Sequence, residues 1–248
     1  MADTKIEWTE ETWNPITGCD QVSAGCRNCY AKIMTKRLKA MGQEKYKDGF
    51  LVRTHEDELE RPYGWRKPRK VFVNSMSDTF HKKVPDEFIR KIMEVISDEE
   101  NQKHIFQVLT KRAERLTDFS EWPDNSWIGV TVENNDARSR IQYLKEVKAP
   151  VRFVSVEPLL ESLPDLGEQL EESGVNWIIV GGESGTQARE LNISWIRKII
   201  EGCKNYNIPV FVKQLGTRWE MDEKGSRGKG EEMEDWPEEI RIRSYPPG

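Results

Sequence analysis

Six short apolar runs, rich in β-branched and aromatic residues, recur along the chain at 71–73, 105–109, 127–130, 151–154, 177–180 and 210–212. Between most of them lie segments of helical period, such as Phe88, Ile89, Ile92, Met93 and Ile96, or Ile193, Ile196, Ile199 and Ile200. Strands that alternate with helices imply a parallel sheet. In a chain of 248 residues this repeat predicts an α/β fold, a single (β/α) barrel or partial barrel of six or seven parallel strands. A doubly wound sheet is disfavoured, because no glycine-rich dinucleotide fingerprint follows the first strand.

Every run leads into a polar exit. In order these are Asn74-Ser75-Met76-Ser77-Asp78, Thr110-Lys111-Arg112, Thr131-Val132-Glu133-Asn134-Asn135, Ser155-Val156-Glu157-Pro158, Gly181-Gly182-Glu183-Ser184 and Lys213-Gln214. Parallel barrels build their sites at the carboxyl ends of the strands, so Asp78, Glu133, Glu157, Lys111 and Lys213 are expected on one rim. Helix capping explains any one of these residues. It explains six polar exits in succession less well.

Three of the four cysteines, Cys19, Cys26 and Cys29, fall within eleven residues, after Gly18 and around Gly25. Thiolates so closely spaced can face one small volume and hold a soft metal centre. Three thiolates leave one coordination position open, which suits a four-iron cluster that binds a cofactor at its fourth iron. The competing reading is zinc, with Cys203, His81 or His104 as fourth ligand. No second Cys-x-x-Cys or His-x-x-x-His supplies the paired half-site usual in zinc modules. Cys203 lies before the last strand and reads as a core thiol, while His55 and His81 stand alone in the sequence.

Charged residues make up 33% of the chain and mean hydropathy is -0.75, with no apolar run approaching a membrane span. No basic leader or apolar signal segment follows Met1, so a cytoplasmic protein without a membrane partner is expected. A net charge of -5 argues against nonspecific coating of nucleic acid, although Arg61, Arg66, Lys67, Arg69 and Lys70 form a local basic stretch. Tyr30 to Met41 should be a helix, with Ile33, Met34 and Leu38 on its apolar face. Residues 1–216 are read as the barrel with its cysteine loop, and 217–248 as a C-terminal extension that packs on it. There Gly225, Gly228 and Gly230 precede Ile240-Arg241-Ile242-Arg243, which alternates as a peripheral edge ribbon would.

The cysteine triad ahead of the first helix resembles that of radical S-adenosylmethionine (SAM) enzymes. More closely, Ile6-Glu7-Trp8-Thr9, Thr12-Trp13-Asn14-Pro15, Thr17-Gly18-Cys19, Gly25-Cys26 and Cys29-Tyr30-Ala31 resemble a radical-SAM-like family of phage and prokaryotic proteins, the Gp-thirty-seven/sixty-eight phage protein family. The later Asn74–Asp78, Leu109–Arg112, Ser155–Pro158 and Gly181–Gly185 segments extend that likeness over nearly the whole chain. The resemblance implies a TIM-barrel-like fold with a [4Fe-4S] cluster on Cys19, Cys26 and Cys29, and SAM on the unique iron. Reductive cleavage of SAM to a 5'-deoxyadenosyl radical would then act on a substrate, a nucleotide or nucleic-acid base among the candidates, with an electron donor as partner. The superfamily's Gly-Gly-Glu segment follows an early strand, whereas Gly181-Gly182-Glu183 follows a late one. Asn74, Ser75 and Asp78 are therefore assigned its role. Glu133, Glu157 and Glu183 are assigned to the methionine amine, ribose hydroxyls or substrate, and Lys111, Arg112 and Lys213 to phosphate. The alternative from a different class is a noncatalytic, zinc-stabilised interaction or nucleic-acid-binding module.

Overall fold

The computed structural model describes Thr4 and residues 6–247. Residues 1–3 and Lys5, at the start of the expected barrel segment, and Gly248, at the end of the extension, lie outside the described residues. Strand β1 (Glu11–Trp13) is followed by a two-stranded antiparallel ribbon of β2 (Ile16–Thr17) and β3 (Arg53–Thr54). Helix α1 (Tyr30–Ala40) lies between these two. The principal sheet then takes up β4 (Lys70–Val73), β5 (Ile105–Thr110), β6 (Ser126–Thr131), β7 (Val151–Val156), β8 (Trp177–Gly181) and β9 (Val210–Gln214). Its seven parallel strands stand in chain order, β1-β4-β5-β6-β7-β8-β9. The order never reverses, so the sheet lacks the switch point that defines a doubly wound fold.

All six expected strands form, within two residues of their expected ends. β1 is the seventh, and its three residues are too few to show a period. Helices α2 (Asp86–Ser97), α3 (Leu166–Glu172) and α4 (Ile193–Lys204) connect strands, and α5 (Thr217–Lys224) follows β9. Two other connections, Ala113–Asp118 and Asn135–Glu146, are built of 3-10 turns.

Packing divides the chain into two compact units. The first comprises 1–22, 29–129 and 146–150. In it β4 pairs in parallel with β1, Val71 opposite Glu11, and with β5, Val71 opposite Phe106. Helix α2 buries Phe88, Ile89, Ile92, Met93, Val95 and Ile96, the stripe that its period demands, while Asp86 and Glu87 favour its N-terminal dipole. Helix α1 departs from expectation in its inner face. It buries the small residues Ala31 and Thr35, and half-buried Leu38 joins Ala31, Tyr46 and Met76. Ile33 and Met34 instead remain 53% and 40% exposed.

The second unit comprises 23–28, 130–145 and 151–248. Its strands β7, β8 and β9 pair in parallel, Phe153 opposite Trp177 and Ile178 opposite Val210. Every residue of β8 is buried. Helix α4 starts at Asn192, whose side chain accepts from the Ser194 amide at 2.9 Å, and it buries Ile196, Ile199 and Cys203. Helices α3 and α4 approach so closely at Gly167 that a Cβ there would lie 2.4 Å from the Gly202 carbonyl oxygen. The expected C-terminal ribbon is an antiparallel bridge, Arg243 opposite Phe211, flanked by Val212 N–H to Ile242 O (2.8 Å) and Ser244 N–H to Val210 O (3.0 Å). Gly225 ends α5 in the left-handed conformation, and the Trp236 indole donates to the Gly230 carbonyl at 3.0 Å.

Because Ile179 is fully buried on β8, Ile179→Ala should lower unfolding free energy by about 2–5 kcal/mol, read as a lower urea midpoint with an unchanged slope.

Candidate active site

Cys19 and Cys29 belong to the first unit and Cys26 to the second. None of the three is in a disulfide, and all are of intermediate exposure. Among the described residues, no three His, Cys, Asp or Glu side chains are grouped so as to hold a metal ion.

In the first unit, Gly18 fixes the approach to Cys19. Its φ of +79° is left-handed, and a Cβ there would meet the Leu51 carbonyl oxygen at 2.1 Å, so no side chain fits. The Gly18 amide donates to Met76 O (3.2 Å) and the Cys19 amide to Phe50 O (3.3 Å). Arg112, which follows β5, donates through Nη1 to the Cys19 sulfur at 3.4 Å and through Nη2 to the Asp20 carbonyl at 3.0 Å. The same Nη1 lies 2.9 Å from Asp78 Oδ2. Asp78 also accepts from Thr110 Oγ1 (2.7 Å), the Phe80 amide (3.0 Å) and the Lys111 amide (3.1 Å). Burial opposes the guanidinium charge of Arg112. Asp78 and the Cys19 sulfur outweigh it and hold the group above its ordinary value.

The turn after β4 is equally committed. Asn74 is left-handed at φ 61°, accepts from the Ile16 amide (3.0 Å) and donates to Thr79 Oγ1 (2.7 Å). Ser75 Oγ donates to Asn14 Oδ1 at 3.2 Å, while Tyr30 donates its hydroxyl to the Ser75 carbonyl. His81 accepts from the Lys83 amide on Nδ1 (3.1 Å), so Nε2 carries the proton toward Asp20 Oδ2 at 3.1 Å. Burial is the main cause that lowers the His81 pKa, followed by Arg112. With both nitrogens engaged, His81 has no lone pair to offer zinc. His104 is a core residue, fully buried and edge-on to Trp65 and Phe106. Cys203 is buried in α4, where desolvation pushes its thiol up to about 12. From the basic stretch, Arg61 and Arg69 turn toward buried Glu11 at 3.3 and 3.5 Å.

In the second unit, the 3-10 turn Ala24–Cys26 is held by two carboxylates and their arginines. The Gly25 amide donates to Glu133 Oε1 at 3.1 Å, and Arg140 lies 2.8 Å from Glu133 Oε2. A Cβ at Gly25 would come within 3.0 Å of the same Oε1. Asn28 Nδ2 donates to Glu183 Oε2 (3.0 Å) and to Gln187 O (2.8 Å). Arg189 reaches both Glu183 oxygens, Nη2 to Oε1 at 2.5 Å and Nε to Oε2 at 2.8 Å, and donates through Nη1 to the Ala24 carbonyl at 3.1 Å. Burial works against the Glu183 carboxylate. Hydrogen bonds from the Arg189 side chain and amide, then from Asn28, overcome it and hold the group below its ordinary value.

Glu157 and Lys213 form a separate pair, 3.4 Å apart, with side chains 15% and 18% exposed. Glycine makes room for it, since a Cβ at Gly181 would lie 2.4 Å from Glu157 Oε1. Arg140, Arg189 and Asn28 escaped the sequence reading. Their one signal is position, because each arginine follows its carboxylate by six or seven residues.

The seven parallel strands, in chain order, and their polar exits define an α/β protein built on a parallel sheet. The chain belongs to the family described as "Protein of unknown function (DUF5131)", whose model matches residues 3–239. No curated protein matches it. Among solved structures, "Spore photoproduct lyase complexed with dinucleoside spore photoproduct" is similar at TM-score 0.51 and 12% identity. The match covers 73% of this chain but only 57% of that one, and at such identity the likeness concerns the fold alone. Among the described residues, no helix is long and apolar enough to cross a membrane.

Two measurements follow. Asp78→Asn leaves Arg112 buried without its counter-charge, and should lower unfolding free energy by about 3–5 kcal/mol in chemical denaturation. Glu183 has a folded pKa below its ordinary 4.5, so its stabilisation is complete above 4.5 and is lost as pH falls through the lower folded value. Melting temperature followed down the acid limb should accordingly fall less steeply in Glu183→Gln than in the parent protein.

Proposed function

We propose that this chain is an iron–sulfur enzyme of the radical SAM type, with Cys19, Cys26 and Cys29 as cluster ligands. The observation that carries the reading is the set of three half-exposed cysteines, outside any disulfide, ahead of the first helix of a parallel α/β protein. The donor chemistry fits a soft metal. None of the three is tied in a disulfide, and the Arg112 guanidinium beside Cys19 favours the thiolate that binds iron. When bound, the cluster and SAM supply reductive cleavage of a carbon–sulfur bond.

The chain's own residues bind, orient and position. Glu157 and Lys213 neutralise one another while keeping some access, so each can exchange its partner for a ligand group. Glu157 suits an amine or ribose hydroxyls, and Lys213 a carboxylate or phosphate. Lys111 is likewise a cation suited to phosphate. Asn74, Ser75 and Asp78 shape the turn we assign to the amine of SAM, with their side chains already held by Ile16, Asn14 and Arg112. Glu133 and Glu183, which we assign to the methionine amine, ribose hydroxyls or substrate, hold the turn that carries Cys26.

A nucleotide or nucleic-acid base is the substrate class we favour. The similar solved structure, a radical SAM enzyme, carries a dinucleoside photoproduct, and Lys111 and Lys213 are cations suited to phosphate. The sequence resemblance to a family of phage and prokaryotic proteins supports the same class. An electron donor completes the reaction, and we assign the enzyme to the cytoplasm.

Anaerobic purification tests the cluster. A brown protein with about four irons and four sulfides per chain is expected, lost in Cys26→Ala. A colourless protein with one bound zinc would favour the zinc-stabilised module instead. Reconstituted protein with SAM and a strong reductant should release 5'-deoxyadenosine. Iron retained without that product would refute the radical reaction while leaving the metal site intact.

A further inference from the structure

We infer that Arg189 is a positioning residue that fixes the Cys26 thiol through the Ser23–Asn28 segment. This rests on the reading of Cys26 as a ligand. The sulfur itself makes a long hydrogen-bond contact with Ser23 Oγ, at 3.8 Å. What is held is the backbone on either side. The Cys26 amide donates to Ser23 O (3.0 Å) and the Arg27 amide to Ala24 O (3.3 Å), which closes a short 3-10 turn.

Three outside groups then fasten that turn. Glu133 accepts from the Gly25 amide just before the cysteine, and Arg189 donates to the Ala24 carbonyl two residues before it. Asn28, two residues after it, donates to Glu183, the carboxylate that Arg189 grips with two nitrogens. Arg189 thus acts on both flanks of Cys26, directly at Ala24 and through Glu183 at Asn28. The fork is bidentate, and its partner Glu183 is only 7% exposed, so the pair has defined geometry rather than the loose pairing of two surface charges. Lysine offers one nitrogen where arginine offers three, and it cannot bridge Glu183 and Ala24 together. Charge alone therefore does not replace Arg189.

The test uses metal-free, reduced full-length protein and iodoacetamide, with alkylation at each cysteine followed by peptide mass spectrometry. In Arg189→Ala and in Arg189→Lys, Cys26 should react about tenfold faster than in the parent, because loss of a charge-assisted hydrogen bond frees the turn. Cys19 and Cys29 should keep their parental rates, and Cys203 should stay unreactive. An unchanged Cys26 rate overturns the proposal, and so does equal acceleration of all three loop cysteines, which marks general loosening. Should Arg189→Ala not fold, Arg189→Lys and Asn28→Ala decide by the same criteria. After anaerobic reconstitution, the reduced Arg189→Lys protein should also show a paramagnetic resonance spectrum shifted from that of the parent. If Cys26 responds as expected but the parent takes up no iron, the positioning role stands and the cluster assignment falls.

Discussion

A carboxylate taken out of water has to be matched by donors, and at the strand ends of this protein that requirement organises the cysteine loop. Asp78 loses nearly all solvent and recovers it in a hydroxyl, two amides and the Arg112 guanidinium. Glu133 and Glu183 are matched in the same way by Arg140 and Arg189. Each guanidinium has further donors to spend, and Arg112 and Arg189 spend them on the loop that carries the thiols. The buried charges thus act as fixed posts, and flexible main chain is tied to them.

The fold was legible to the extent that it is written in period and run length. The strands β4 to β9 are built on short apolar runs that lead into polar residues, so their positions could be read to within two residues. β1 was not legible, because its paired stretch is too short for any pattern and is recognised only by its register against β4. The face of α1 was misjudged for a related reason. Ile33 and Met34 have the right spacing for a core stripe, but the helix buries Ala31 and Thr35 instead, with Ala31 against Tyr46 and Met76. Periodicity finds an apolar stripe, while the depth of the groove it meets is a tertiary property.

The site shows the same division. Carboxylates and cations at strand exits were identifiable by type and place. Whether a given carboxylate faces a ligand or an arginine depends on side chains brought in from elsewhere in the fold. Asp78 meets Arg112 across thirty-four positions, and Asn28 meets Glu183 across one hundred and fifty-five. The histidines make the point by exclusion. His81 stands beside an exit, as its position suggests, yet a backbone amide and a carboxylate use both of its nitrogens.

The bridge between Arg243 and Phe211 bears on the last strand of the sheet. A terminal strand as apolar as Val210-Phe211-Val212 would offer a row of open amides and carbonyls to any passing chain. Here the C-terminal residues take up the Val212 amide and the Val210 carbonyl, and the Arg243 guanidinium sits on the carbonyls of Val212 and Lys213. The tail thereby covers part of that margin, and a version shortened before Ile242 would leave the Val212 amide and the Val210 carbonyl without these partners.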